Sequence, residues 1–246
     1  MFTIDLNCDM GEGIGNDELI MPYISSVNIA CGFHAGNTEI MKQTIELALH
    51  HNVAIGAHPG FDDKENFGRI EQQLNDDEVY DLIRTQLKIL QKHIDEACAT
   101  MHHVKPHGAL YNMSSKNYAV ASIIAKAVKD HNPSLILYGL SNSQSIITAE
   151  EINLKIASEA FADRTYMDDG TLTPRMHSNA LITDDKQSIK QVLQMVQQQT
   201  VTSLNNKTVT IKADTICIHG DGVHAVEFAK KISDALNERG IKICAL

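Results

Sequence analysis

The sequence is short of positive charge and nowhere concentrates what it has. Lys and Arg number 21 against 31 Asp and Glu, a formal net charge of −10. No basic run with interleaved aromatics occurs, and a nucleic-acid surface needs clustered Lys and Arg to meet phosphates. Long apolar runs are missing as well. No stretch approaches the roughly 18 apolar residues of a membrane span. Met1-Phe2-Thr3-Ile4-Asp5 lacks the basic start and apolar core of a signal peptide. The 5 cysteines include no CxxC pair, and an odd count without a secretion signal fits reduced thiols in the cytoplasm. No Pro/Ser linker or low-complexity tract divides the chain, so residues 1–246 read as one domain. A phosphate loop is absent too. GxxxxGK[ST] does not occur, and Gly11-Glu12-Gly13-Ile14-Gly15 misses the GxGxxG spacing. Asp9 and Glu12 would also repel a phosphate there, so this chain carries no familiar ATP site.

What is present is a repeated pattern. Seven short apolar runs, at 4–6, 27–30, 53–56, 103–104, 135–138, 156–161 and 215–218, each break off into polar residues. Runs of this length read as buried parallel strands. Helical periodicity follows most of them. Asn75 with Glu78 forms a capping-box pair, and Val79, Leu82, Ile83, Leu87, Leu90 and Ile94 make one apolar face. Residues 117–130, 186–198 and 224–237 repeat that spacing, and 38–50 and 142–152 do so more weakly. Strand, polar turn and helix in alternation predict an α/β fold of parallel β/α units. Closed into a barrel, such units place every strand C-terminus on one face, which carries the active site. The irregular stretch 163–179 is expected to lie over that mouth, and 208–211 to form a small extra strand.

The polar residues at the run ends are the candidates for chemistry. Asp5, Asn7 and Asp9 alternate with Leu6 and Cys8 and so share one side of a strand. Inside a barrel that side is costly for carboxylates unless they are paired; the other reading makes Asp9 and Glu12 turn caps. His34, His58, His107 and His219 stand at four strand ends, where imidazole can serve as acid, base or metal ligand. His58 and His107 are each framed by Pro and Gly, which lets the backbone turn sharply. His50-His51 reads as a helix end, and the remaining histidines, His102 and His103 among them, as mostly surface residues. Lys105 either holds an anion at the mouth or is a solvated strand-end lysine. Arg164 and Arg175 either grip a substrate carboxylate or pair with Asp163, Asp168 or Asp169. Cys8, Cys31 and Cys217 read as small buried apolar residues.

These segments resemble one family. The resemblance rests on Asp5-Leu6-Asn7-Cys8-Asp9-Met10-Gly11-Glu12-Gly13, Asn28-Ile29-Ala30-Cys31-Gly32-Phe33-His34-Ala35-Gly36 and Gly56-Ala57-His58-Pro59-Gly60. Phe67-Gly68-Arg69, the run from His103 through Lys105-Pro106-His107-Gly108 to Asn112, Phe161-Ala162-Asp163-Arg164, Asp169-Gly170-Thr171-Leu172, Pro174-Arg175 and His219-Gly220-Asp221 extend it. They are similar to the motifs of the LamB/YcsF family, which supplies one of the subunits of bacterial 5-oxoprolinase, the one lettered A. Two departures stand out: the segment after Gly15 lacks a Trp-containing insert, and Gly222-Val223 replaces Thr-Pro. The resemblance implies a seven-stranded, parallel, TIM-like β/α barrel akin to the glycoside hydrolase/deacetylase superfamily. It implies opening of 5-oxo-L-proline (pyroglutamate) to L-glutamate, coupled to hydrolysis of ATP to ADP and phosphate. Separate subunits B and C share that reaction and hold the ATP; a divalent metal stays open, with no ligand assigned. The candidate catalytic residues are then Asp9, His58, Lys105, His107 and Asp221. The candidate substrate-binding residues are Asn7, Glu12, His34, Arg164, Arg175 and His219. Asp9, His34, His58, Lys105, His107 and Asp221 are expected to face one cavity. Two other readings stay open: a metal-dependent, deacetylase-like hydrolase, whose ion would acidify a water, and a non-catalytic subunit that binds carboxylates or sugars.

Overall fold

Strand β1 (Thr3–Met10) is hydrogen-bonded along both edges, and the rest of the sheet is laid out from it. The computed structural model describes residues 2–220, 222 and 224–246. Parallel strands β2 (Ser26–Ala30), β3 (Ala54–His58), β4 (Met101–Val104), β5 (Ile136–Leu140) and β6 (Lys155–Phe161) follow in spatial order. Strands β7 (Thr200–Thr202) and β8 (Thr208–Thr210) form a separate antiparallel ribbon. Strand β9 (Thr215–Ile218) then enters between β6 and β1, where Thr215 pairs with Glu159 on one side and Asp5 on the other. That double pairing closes a seven-stranded parallel barrel whose staves are the seven apolar runs. The extra strand expected at 208–211 is β8. Two strands escaped the periodicity: β7, and the two-residue β10 (Lys242–Ile243) beside Thr3 and Ile4. Both are too short to show a period of two.

Helices α2 (Thr38–His51), α3 (Asp76–Glu96), α5 (Tyr118–His131), α6 (Gln144–Glu151), α7 (Asp185–Gln198) and α8 (Ala225–Glu238) fall where the apolar spacing puts them. The capping box on α3 is formed in both directions. The short α1 (Asp17–Ile20) and α4 (Gly108–Lys116) were not expected. α4 begins on a glycine, contains two serines and abuts α5, so propensity and periodicity both fail to mark it. No helix among the described residues is long and apolar enough to cross a membrane.

The pleat of β1 separates two environments. Leu6, Cys8 and Met10 point outward and join Val27, Ile29, Ile45, Leu87 and Leu90 in the apolar layer under the helices. Each such side chain contributes about 1.5–3 kcal/mol by leaving water. Asp5, Asn7 and Asp9 point inward, as their spacing requires. Asp5 proves this by bonding across the barrel, to Ser26 of β2 at 2.7 Å, Tyr138 of β5 at 3.0 Å and Thr215 of β9 at 2.6 Å. Ser25 adds a fourth hydroxyl at 2.6 Å. Burial still pushes the Asp5 carboxyl above its ordinary value, against those four bonds. The barrel interior is therefore a packed polar layer.

His103 corrects the reading of it as a surface residue. It is fully buried, donates from Nε2 to Asn28 Oδ1 at 2.7 Å, and stacks on Tyr138 at 4.1 Å. Gly56 leaves the room for it: a Cβ there would stand 2.1 Å from His103 Nε2. Gly56→Ala should thus cost about 1–3 kcal/mol, as overpacking does. In urea unfolding, Gly56→Ala combined with His103→Ala should cost less than the two single changes added together, because the clash is shared. Strict additivity would disprove it.

Candidate active site

All the strand C-termini open at one end, and there a cavity of about 150 Å³ gathers the reactive side chains. Asp9, near the end of β1, is fixed by two donors. Its Oδ1 accepts from Lys105 Nζ at 3.0 Å and from Asn28 Nδ2 at 2.8 Å. Lys105 follows β4 and turns back into the barrel. Its ammonium also reaches Glu159 Oε1 at 2.9 Å, Asn7 Oδ1 at 3.2 Å and Cys217 Sγ at 3.2 Å. An ammonium has three hydrogens to give, so these acceptors exhaust it. Lys105 is buried, not a solvated strand end. Burial alone would discharge it, but Asp9, Cys217 and Glu159 outweigh that and hold its pKa well above the ordinary value. Asp9 shows the reverse balance. Burial favours its neutral form, but His58 and Lys105 hold it well below the usual carboxylate range. Asp9 is not a turn cap; Asp17 Oδ2 takes that part by accepting from the Gly11 amide at 2.8 Å.

Three imidazoles crowd beside Asp9. His58 Nδ1 lies 2.7 Å from the Lys105 carbonyl, and His107 Nε2 lies 2.8 Å from the Phe67 carbonyl. A carbonyl can only accept, so each of those nitrogens carries the hydrogen. The other two nitrogens, His58 Nε2 and His107 Nδ1, face each other at 2.9 Å. Burial, with His58 adding to it, pushes His107 down to about 3. His34 stacks flat on His107 at 3.8 Å, and burial drives its pKa far down. Gly68, with φ of +61°, lets the 67–69 turn pass tightly over these rings; a Cβ there would sit 2.8 Å from His34 Cβ. Glu12 completes the group, and Glu12, His34, His58 and His107 each bring one ligand atom within 4.8 Å of the others.

Strands β6 and β9 supply a second group. His219, just past β9, lies with Nδ1 2.8 Å from Asp163 Oδ2. Burial opposes its charge, but the Asp163 carboxylate raises its pKa above the ordinary histidine value. Arg175 Nη2 stands 3.4 Å from His219 Nε2 and is exposed. Arg164 is buried and committed elsewhere: Nη2 donates to the Thr173 carbonyl at 2.6 Å and Nε to the Ala180 carbonyl at 3.3 Å. It staples the 163–182 loop, which covers the mouth as expected, with Arg164, Leu172 and Arg175 on the cavity wall. The alternative Arg–Asp pairs are not what the aspartates do: Asp163 holds His219, Asp168 pairs with Lys207, and Asp169 accepts from Thr171.

Of the residues expected here, Asp9, Glu12, His58, Lys105, His107, Arg164, Arg175 and His219 line the cavity. Asn7 and His34 lie behind its wall. Asn7 is one pleat deeper and tied to Glu159 at 2.9 Å and Thr215 at 2.7 Å; His34 is screened by His107. Asp221 lies outside the described residues. Four contributors were overlooked: Glu159, Asn28, Asp163 and Arg69. Glu159 had a legible signal, a lone carboxylate inside the apolar run 156–161, where an unpaired charge is too costly to stand. Cys8, Cys31 and Cys217 are buried thiols that burial makes less acidic, Cys31 to about 12.

A closed parallel barrel with titratable groups converging at its strand C-termini defines a barrel enzyme. The chain belongs to the LamB/YcsF family, which it matches over residues 4–246. It is 53% identical over 251 residues to the 5-oxoprolinase A chain of Bacillus cereus strain AH187, covering 100% of this chain and 99% of that one. The corresponding protein of Bacillus thuringiensis subsp. konkukian strain 97-27 matches to the same extent, 53% over 251 residues. Among solved structures, the lactam utilization protein from Thermus thermophilus superposes with a TM-score of 0.94 at 38% identity, covering 99% of this chain and 100% of that one. A family 4 carbohydrate esterase from Streptomyces lividans, in complex with acetate, shares the fold alone, with a TM-score of 0.50 at 12% identity over 98% of this chain and 91% of that one.

Two outcomes test this geometry. Lys105→Met strands Glu159 and Asp9 without their cation and should cost about 3–5 kcal/mol in urea unfolding. Adding Glu159→Gln should recover part of that loss; an additive double variant would show the two groups to be independent. The second concerns pH. A histidine with a raised pKa stabilises fully below its unfolded value, about 6.5, and loses that contribution as pH rises through the folded value. Burial would raise the Asp163 pKa, but His219 holds it below its ordinary value, so Asp163 contributes above about 3.9. The stability gap between the wild type and Asp163→Asn should therefore be widest between about pH 4 and 6.5 and narrow at alkaline pH. A gap that stays flat up to pH 9 would show that His219 is not charged in this pair.

Proposed function

We propose that this cavity opens the ring amide of 5-oxo-L-proline to give L-glutamate, as one component of a multi-subunit 5-oxoprolinase. One observation carries the chemistry: His219, whose pKa the Asp163 carboxylate raises, and the exposed guanidinium of Arg175 share a small cavity with Asp9. The near full-length kinship with 5-oxoprolinase A chains supports the substrate.

A five-membered lactam is a poor electrophile whose closure is favoured. ATP, held by subunits B and C, phosphorylates the lactam oxygen and so supplies both activation and driving force. ADP leaves at that step; water then adds at the activated carbon, the C–N bond breaks as the ring nitrogen takes a proton, and the acyl phosphate so formed is hydrolysed by a second water to L-glutamate and phosphate. His219 is the proton donor, since its raised pKa leaves it charged nearer neutrality than the buried imidazoles. Arg175 holds the substrate carboxylate as a planar fork. Arg164 shapes the lid that excludes bulk water. Lys105 acts at one remove, fixing Asp9 and the charge around it, because its own hydrogens are spent. Asp9, Glu12, His58 and His107 face the attacking water. Asp221 keeps its place in the proposal through the His219-Gly220-Asp221 motif. The chain works as a single domain in the cytoplasm.

The test is a glutamate-release assay with this chain, subunits B and C, ATP and 5-oxoproline, each omitted in turn; release should need all of them. In the complete system Arg175→Lys should raise KM roughly 10-fold or more, matching the 1.5–3 kcal/mol of hydrogen bonds to charged groups. Arg164→Lys should instead lower thermal stability. An unchanged KM for Arg175→Lys removes the carboxylate fork.

A further inference from the structure

Hydrogen bonding leaves the imidazole cluster incompletely satisfied. The Lys105 and Phe67 carbonyls take the N–H of His58 Nδ1 and of His107 Nε2, so in the neutral rings the lone pairs lie on His58 Nε2 and His107 Nδ1. Those atoms are 2.9 Å apart, where two lone pairs repel unless something positive lies within reach of both. His34 adds a second anomaly. It is 1% exposed, and neither of its ring nitrogens has a hydrogen-bond partner among the described residues. Its Nε2 points at Glu12 Oε1 from 3.4 Å, and the same oxygen lies 3.6 Å from His107 Nδ1.

These separations have a common meaning. Ligand atoms about 2.1 Å from one ion stand about 3.0–3.4 Å from each other, as the edges of an octahedron or tetrahedron. Three of the six separations, 2.9, 3.4 and 3.6 Å, bracket that range, and all four atoms lie within 4.8 Å of one another. We propose that Glu12 Oε1, His34 Nε2, His58 Nε2 and His107 Nδ1 form a binding site for one divalent transition-metal ion. Three neutral imidazoles and one carboxylate suit zinc-like ions better than magnesium or calcium, which prefer oxygen. The supporting shell is already in place, because each of two ligating rings gives its far N–H to a backbone carbonyl, the usual device for aiming a metal-bound histidine. Glu12, His58 and His107 line the cavity, so the ion would meet whatever enters it.

The site also answers a difficulty in the ring-opening reading, on which this last point alone rests. Ordinary water yields a proton only to a strong base, and a carboxylate is a weak one. A metal-bound water is far more acidic, and Asp9 Oδ2, 3.3 Å from His58 Nε2, borders the proposed position.

The experiment is metal uptake by the whole purified chain, stripped with chelator and dialysed against zinc, cobalt or manganese. Mass spectrometry of the bound element should give one ion per chain, and the cobalt form should show visible bands of a nitrogen-ligated site. His107→Gln and Glu12→Gln, each checked for folding by circular dichroism, should weaken binding roughly 10-fold or more, whereas His50→Gln, outside the cluster, should not. Uptake well below one ion per chain, or uptake unchanged in both cluster variants, overturns the site; glutamate release by ion-free protein overturns the ion's part in that reaction. One ion per chain in a protein that fails to release glutamate with its partners upholds the site and instead overturns the ring-opening reading.

Discussion

One ammonium group organises the interior of this barrel. Lys105 Nζ joins Asp9 and Asn7 of β1 to Glu159 of β6, and Asn28 of β2 braces both Asn7 and Asp9. Taking these charges out of water costs several kcal/mol per ion, recovered only through close geometry and complete hydrogen bonding. The strands therefore have little freedom of register: a slip of one residue would turn the charged partners out into the apolar layer. Asp5, Asp9 and Glu159 also outnumber the lysine. Asp5, which burial favours in its neutral form and four hydroxyls surround, eases that imbalance at the closed end of the barrel.

The chemistry at the open end follows from that arrangement. A lysine whose hydrogens are used up inside has none left to turn outward, and the guanidinium groups at the mouth stand on a loop. Two arginines in one loop have different jobs for the same reason: Arg164 spends its hydrogens on backbone carbonyls, while Arg175 stays exposed. The histidines divide likewise. Against burial, a carboxylate partner raises the pKa of His219, whereas burial lowers those of His34 and His107. Residue type alone does not distinguish these roles; the partner does.

The sequence carried the barrel well because its strands are buried on both faces and end abruptly in polar residues. The alternation in β1 even foretold which side Asp5, Asn7 and Asp9 would take. It carried less of the site, because a strand shows the side on which a residue stands but not its partner on another strand. Glu159 and Lys105 are 54 residues apart in the chain, and only closure of the barrel joins them. His103 was misread for a similar reason: the glycine that makes room for it lies on the neighbouring strand. The short strands β7 and β10 and the serine-containing α4 lie below the length at which a period can be recognised.

The position of β1 between β2 and β9 has a consequence for biosynthesis. Its second barrel neighbour begins at Thr215, and β10 reaches back to Thr3 and Ile4 from Lys242. At roughly 5–20 residues per second, a ribosome needs about 10–40 s to produce β9 after β1 has been made. Throughout that interval Asp5 and Asn7 lack Thr215, and an inward face built from ionisable groups remains hydrated. The first strand to emerge is thus soluble while it waits. Its polar side, costly in the finished protein, protects the unfinished chain from premature association.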